Sequence, residues 1–193
     1  MRVVITRNNL KSDVKFSNAS ALCFVLTGAA MWRMNGAAQQ STPHMNRDEK
    51  TLILFKPDCV RKNLSGIILQ RLLAEGFRLR AMKMIQLDDA ILREHYGHII
   101  DLVIDGEPLF PKLSFFMQTS PVVALVLSGP GVITRVRSIL GPTNSMKAEK
   151  GTIRGDFGTN SMLNICHASD SPESAEIEIK RFFKPEEIFD NVD

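Results

Sequence analysis

His167 closes a short apolar run, Leu163-Asn164-Ile165-Cys166, and is followed at once by Ala168-Ser169-Asp170-Ser171. An imidazole in that position has two readings. It is either a half-buried histidine satisfied by a nearby carbonyl, or a nucleophile whose second ring nitrogen is held by a carboxylate. Glu173, Glu176 and Glu178 all lie on the helix expected to follow, and any one of them can reach back. An imidazole held this way has a fixed tautomer and a free nitrogen lone pair.

Positive charge gathers around the same region. Arg137 sits on an expected helix, Lys147, Lys150 and Arg154 lie in the loop that follows, and Lys56 ends the first strand in Lys56-Pro57-Asp58. Two arginines and a lysine converging from different elements would clamp phosphates and stabilise charge on a transferring phosphoryl group. Taken singly, each is ordinarily a solvated surface charge. Lys56 is the exception, because it directly ends a buried strand and cannot go deeper without a partner. Thr143 and Asn144 are either turn formers or ligands for phosphate and sugar. Tyr96, Leu109, Phe110 and Leu113 can form an apolar face for a base, although core packing is the more economical reading of the last three. His95 and His98 form no cluster with His167 that the sequence can show. Walker A, kinase glycine-loop and Rossmann phosphate motifs are all absent.

The elements that must position these residues follow from periodicity. Thr51–Lys56 (TLILFK) reads as a buried strand stopped by Pro57-Asp58. Leu64 to Glu75 has one broad apolar face and a glycine stop at Gly76, so it reads as a helix. Residues 77–87 alternate as a strand with a polar face, with a bulge expected near Met82–Met84. Asp88 or Asp89 caps a short helix through Tyr96, and Pro108 opens another to about Gln118. Pro121–Ser128 is the most hydrophobic strand and should be central. A helix follows from Val132 to Gly141, then a loop from Pro142 to about Asp156, a strand at Leu163–His167 and a helix opened by Ser171-Pro172-Glu173. The order is βαββαβ with one added helical hairpin. It predicts an α/β, ferredoxin-like sandwich: a small antiparallel sheet with helices on one face. Such a fold does not by itself specify a function.

Charge and cysteine content exclude several classes. Of 24 basic and 21 acidic residues, five and one lie in residues 1–45, which leaves 19 and 20 in the remainder. A near-neutral body argues against a stable nucleic-acid partner. Cys23, Cys59 and Cys166 form no CxxC pair, so neither a disulfide framework nor a cysteine metal site is implied, and the body reads as a reduced-compartment, cytoplasmic protein. Residues 1–45 are read as an N-terminal extension and 46–193 as the functional domain. The apolar run 19–32 is too short to cross a bilayer as a helix, so no stable membrane partner is expected. The extension is either a tail or over-long start, with Met45 as the alternative beginning, or a signal for an organelle or for secretion.

The sequence resembles the nucleoside diphosphate kinase family. The resemblance rests on TLILFKPDCV (51–60), EHY (94–96), SGPGVITRVRSILGPTN (128–144), KGTIRGDF (150–157), NICHASDSPESAEIEI (164–179) and KPEEIF (184–189), which run in family order. It implies reversible transfer of a γ-phosphoryl group from a nucleoside triphosphate such as ATP to a nucleoside diphosphate, by a ping-pong route. His167 would be the phosphorylated nucleophile, Glu178 the carboxylate bonded to its other nitrogen, Ser169 a supporting hydroxyl and Tyr96 a neighbour. Lys56, Arg137, Thr143 and Arg154 would hold phosphates, and Asn164 with Lys56 the sugar hydroxyls. Leu109, Leu113 and Ser161 would complete the nucleotide site. Mg²⁺ would be held mainly by the nucleotide phosphates, with no carboxylate cluster required. A homo-oligomer is implied, a hexamer in preference to a tetramer.

Three departures from the family pattern stand out. Leu109 replaces an aromatic residue that usually stacks on the base, residues 97–107 are longer than the usual link, and the body ends soon after Phe189. The alternative reading is a non-catalytic regulatory or assembly module of the same fold.

Overall fold

Two runs of apolar residues build the centre of the molecule. In the computed structural model, which describes residues 49–104 and 106–190, Lys50–Phe55 forms β1 and Val122–Ser128 forms β5. They pair antiparallel with Ile53 opposite Leu125. Every residue of β5 is buried, as is all of β1 beyond Lys50. The two edge strands are β2 (Arg78–Ile85) and the three-residue β6 (Cys166–Ala168), giving an antiparallel sheet in the order β2-β5-β1-β6. This is the expected ferredoxin-like arrangement.

Both faces of the sheet are covered, which corrects the one-face expectation. Ile53, Phe55, Val123, Leu125 and Leu127 pack with Ile68 and Leu72 of α2 (Ser65–Leu73) and with Val132 and Val136 of α5 (Val132–Leu140). Their neighbours in the strands, Leu52, Leu54, Val122, Ala124 and Val126, share a second core. That core holds Leu92 of α3 (Asp89–His95), Phe110 and Met117 of α4 (Leu109–Gln118), and Ile179 and Phe182 of α7 (Pro172–Phe182). An unbroken apolar run instead of an alternating one is the signature of a strand buried on both sides.

Local chemistry explains most boundaries. Asp88 caps α3 by accepting from the Ile91 amide at 2.9 Å, and Ser171 caps α7 through the Ser174 amide at 3.1 Å with Pro172 at the first position. Four details differ from the sequence reading. The irregularity in β2 falls between Leu79 and Ala81, not at Met82–Met84. It accompanies burial of Arg80, whose guanidinium donates to Ser128 Oγ at 2.7 Å and to the Asp190 carbonyl at 2.6 Å. Pro57 starts a short helix, α1 (Pro57–Arg61), instead of merely ending a strand. The loop after Gly141 contains α6 (Ile153–Phe157). Finally, a 3-10 turn at Gly97–Ile99 is followed by two short strands, β3 (Val103–Ile104) and β4 (Glu107–Pro108), paired as a small antiparallel hairpin. The extension 1–45 and its boundary at residue 46 lie outside the described residues. No helix among the described residues is long and apolar enough to cross a membrane.

Candidate active site

The end of β1 and the short strand β6 meet where the chemistry was expected. Leu54 lies opposite His167 in the β1–β6 ladder, and the Lys56 amide donates to the Ile165 carbonyl at 2.9 Å. Just before β6, the Cys166 amide donates to the Asn164 carbonyl at 2.8 Å across Ile165, whose φ is +74°. This is a three-residue γ-turn of the rare positive-φ kind, and a β-branched residue there costs about 1–3 kcal/mol. Asp58 of α1 holds the turn by accepting from the Ile165 amide at 3.0 Å. The expected strand Leu163–His167 is therefore a strained turn leading into Cys166–Ala168, and the turn sets where His167 emerges.

Of the three glutamates on α7, it is Glu178 that reaches His167. Its carboxylate lies 3.0 and 3.1 Å from His167 Nε2 and accepts from Ser169 Oγ at 2.6 Å. Ser169 is fully buried and its hydroxyl also accepts from the Leu52 amide at 3.1 Å, so strand β1 anchors the whole chain of bonds. Burial pushes the Glu178 carboxyl up, but hydrogen bonding and charge from His167, with help from Ser169 and His95, outweigh it and leave it below its ordinary value. A carboxylate on Nε2 places the ring proton there and leaves the lone pair on Nδ1. That arrangement makes the imidazole nucleophilic.

His167 opens into a cleft of about 1040 Å³. Lys56, Tyr96, Arg137, Thr143, Arg154, Ser161, Asn164 and Glu178 line it, together with Leu109 and Leu113. Ser169 does not reach the cleft and acts through Glu178. Of the other loop cations, Lys150 donates to the Gly155 carbonyl at 3.0 Å, and neither it nor Lys147 lines this cleft.

Lys56 and Arg154 are built in. Lys56 Nζ donates to Asn164 Oδ1 at 2.9 Å and to the Met162 carbonyl. Burial lowers its pKa to about 8, Asp58 opposing the fall and Arg154 adding to it. Arg154 donates to the carbonyls of Gly141 at 2.8 Å and Cys166 at 2.7 Å, and burial lowers its pKa as well. Gly155 must be glycine for this placement, since a methyl there would run into the Glu149 carbonyl. Asn164 completes the brace by donating to the carbonyls of Thr143 at 2.9 Å and Ser161 at 2.8 Å. Arg137 and Thr143 are exposed in the cleft wall.

The sequence reading missed His95. Its ring meets that of His167 edge to face, centroids 4.5 Å apart, and its Nδ1 accepts from Arg181 at 3.2 Å. Burial, then the proximity of His167, pushes its pKa down to about 3, so it is a neutral wall. Asp58 was also missed as the anchor of the γ-turn. No local pattern marks either residue, because both act through partners distant in sequence.

The cleft also bears on metal binding. His95, His167 and Glu178 offer ligand atoms within 4.8 Å of one another, but two imidazoles and one carboxylate suit softer ions than Mg²⁺, and Arg181 beside His95 opposes a cation there. The other carboxylates in the wall are Glu94, paired with Arg181 at 2.9 Å, and Asp170. Among the described residues, this donor set does not by itself suit a hard dication such as Mg²⁺.

Residues 49–188 match the family profile described as nucleoside diphosphate kinase. The chain belongs to that family. It is 44% identical over 142 residues to the nucleoside diphosphate kinase of Roseiflexus castenholzii, a match that covers 74% of this chain and 92% of that one. It is 43% identical over 145 residues to that of Saccharomyces cerevisiae, covering 75% and 92%. Among solved structures, Aquifex aeolicus nucleoside diphosphate kinase superposes with a TM-score of 0.68 at 44% identity, covering 72% of this chain and 98% of that one. The Halobacterium salinarum enzyme in complex with CDP gives 0.69 at 34% identity, covering 74% and 92%. The nucleoside diphosphate kinase fold and phosphotransfer between nucleoside tri- and diphosphates follow for this chain.

Proposed function

We propose that phosphoryl transfer runs by a ping-pong route through a phosphohistidine at His167. The observation that carries this reading is the Glu178 carboxylate 3.0 Å from His167 Nε2, which frees Nδ1 inside a cleft walled by Lys56, Arg137 and Arg154. A nucleoside triphosphate binds with its phosphates against Lys56, Arg137, Thr143 and Arg154. The Nδ1 lone pair attacks the γ-phosphorus, the bond to the β–γ bridging oxygen breaks, and the diphosphate leaves with that electron pair. The Nε2 proton stays in place, and Glu178 stabilises the positive charge that develops on the ring. A second diphosphate then reclaims the group by the reverse path.

Lys56 and Asn164 would contact the sugar hydroxyls, with Ser169 supporting Glu178 and Tyr96 beside His95. Mg²⁺ carried on the nucleotide phosphates supplies further charge neutralisation when bound. The protein's part is positioning and charge stabilisation on the equatorial oxygens. The working assembly is a homo-oligomer, a hexamer in preference to a tetramer, which light scattering on the purified protein would settle.

The test is intact-protein mass after incubation with ATP and Mg²⁺, then with GDP. One acid-labile adduct of about 80 Da, lost to GDP with formation of GTP, is expected. His167→Ala should abolish both adduct and turnover while nucleotide binding persists. Turnover retained by His167→Ala removes His167 from the role. Absence of adduct and of GTP from the folded wild-type protein favours a non-catalytic module.

A further inference from the structure

The cleft has an apolar stretch that the phosphate-binding groups leave unused. Ile99, Ile104, Leu109, Leu113 and Met162 line it. Ile104 is unusual among them, because it comes from the β3–β4 hairpin formed by the long 97–107 segment. It is 48% exposed, a β-branched side chain left half in water at the cleft wall. Its strand neighbour Val103 is exposed too but does not line the cleft, as the alternation of a strand requires.

The hairpin is bonded to itself and to α4. Ile104 pairs with Glu107 and Val103 with Pro108, and Gly106 takes the turn at φ +80°. The Leu109 amide donates to the Leu102 carbonyl at 2.9 Å, continuing the hairpin bonding into the first residue of α4, and Glu107 ion-pairs with Lys112 on that helix. Leu109 and Ile104 are therefore held in register with one another by backbone bonds. A nucleotide whose phosphates meet Lys56, Arg154 and Arg137 has one apolar part left to place, the base.

We propose that Ile104 is a nucleobase contact which, with Leu109, biases this chain toward purine over pyrimidine nucleotides; this rests on the cleft being the nucleotide site. An aliphatic wall offers no donor or acceptor, so it cannot read the edge pattern of a base. It responds to the apolar area it covers, and the two fused rings of a purine offer more than the single ring of a pyrimidine. Selection is thus by ring size. Leu109, where an aromatic residue would stack, is compensated by a second aliphatic contact from the hairpin.

The experiment is titration calorimetry of the full chain with GDP, CDP and ribose 5-diphosphate, which lacks a base. Ile104→Ser should weaken GDP about threefold to tenfold, CDP by about half that factor, and ribose 5-diphosphate not at all. Ile104→Val should restore most of the GDP affinity, and Val103→Ser on the opposite side of the strand should change none of the three. Equal weakening of all three ligands by Ile104→Ser would overturn the proposal, placing the hairpin's effect on the fold or on phosphate binding. So would unchanged GDP affinity, or GDP and CDP weakened by the same factor. Binding is read without turnover, so absence of the His167 adduct in the wild-type protein would defeat the catalytic reading and leave this one standing.

Discussion

The two ends of the cleft are built on opposite principles. At the end proposed to take the phosphates, Lys56, Arg154 and Asn164 are at most 9% exposed, and each is tied to named carbonyls or side chains. At the end proposed to take the base, Ile104 and Leu109 are partly exposed and carry no polar demand. A buried charge must be fully partnered or it destabilises the fold, so its geometry is over-determined. An aliphatic wall needs only area, so it tolerates replacement of one residue or the addition of a hairpin. On the proposed reading, the first end fixes the reaction and the second is where this chain can differ from its relatives.

The largest expected effect breaks the fixed end. Glu178→Gln should lower kcat by on the order of 100-fold or more with little change in nucleotide affinity, because Nε2 loses the carboxylate that sets its tautomer and offsets the ring charge. Single-turnover phosphorylation by ATP measures this, and a decrease smaller than tenfold would remove Glu178 from that role.

Lys56 gives an intermediate effect with a defined pH dependence. Its folded-state pKa of about 8 lies below the ordinary 10.5, so raising the pH through 8 removes the charge proposed to meet the phosphates. The kcat/KM should fall above about pH 8, and Lys56→Met should be slower throughout with that alkaline limb flattened. The stability sign runs the other way. Between about 8 and 10.5 the folded chain holds fewer protons at this site than the unfolded chain, so Lys56 makes stability rise with pH in that window, as denaturant titrations at several pH values would read. Matching alkaline limbs in wild type and Lys56→Met would assign the titration to another group.

The smallest effect sharpens the variable end. Leu109→Phe adds a ring face and should tighten GDP binding about twofold to tenfold, with kcat little changed. An unchanged dissociation constant would mean that the base does not rest on Leu109.

Much of this was legible in the chain. The runs Leu52–Phe55 and Val122–Leu127 mark interior strands because four and six consecutive apolar residues must be buried, although helices on both faces of the sheet were not foreseen. Asp88 and Ser171-Pro172 mark helix starts because their chemistry is local. The γ-turn at Asn164–Cys166 was not legible: Ile165 is an improbable residue for positive φ, and only Asp58 and Lys56, more than a hundred positions away, hold it there. The hairpin at 103–108 escaped notice because two-residue strands carry no periodicity.

The sequence by itself determined the kind of chemistry, since a histidine, basic residues in several elements and a motif order shared with a kinase family are all written along the chain. It also offered three glutamates as partners of His167, with no local reason to prefer one. The tertiary structure chose Glu178, brought His95 against His167 and set Ile104 in the cleft wall. Those decisions depend on how α7 packs on β1 and how the hairpin docks on α4, and side chains meet across such contacts according to distance in space, which spacing along the chain does not encode.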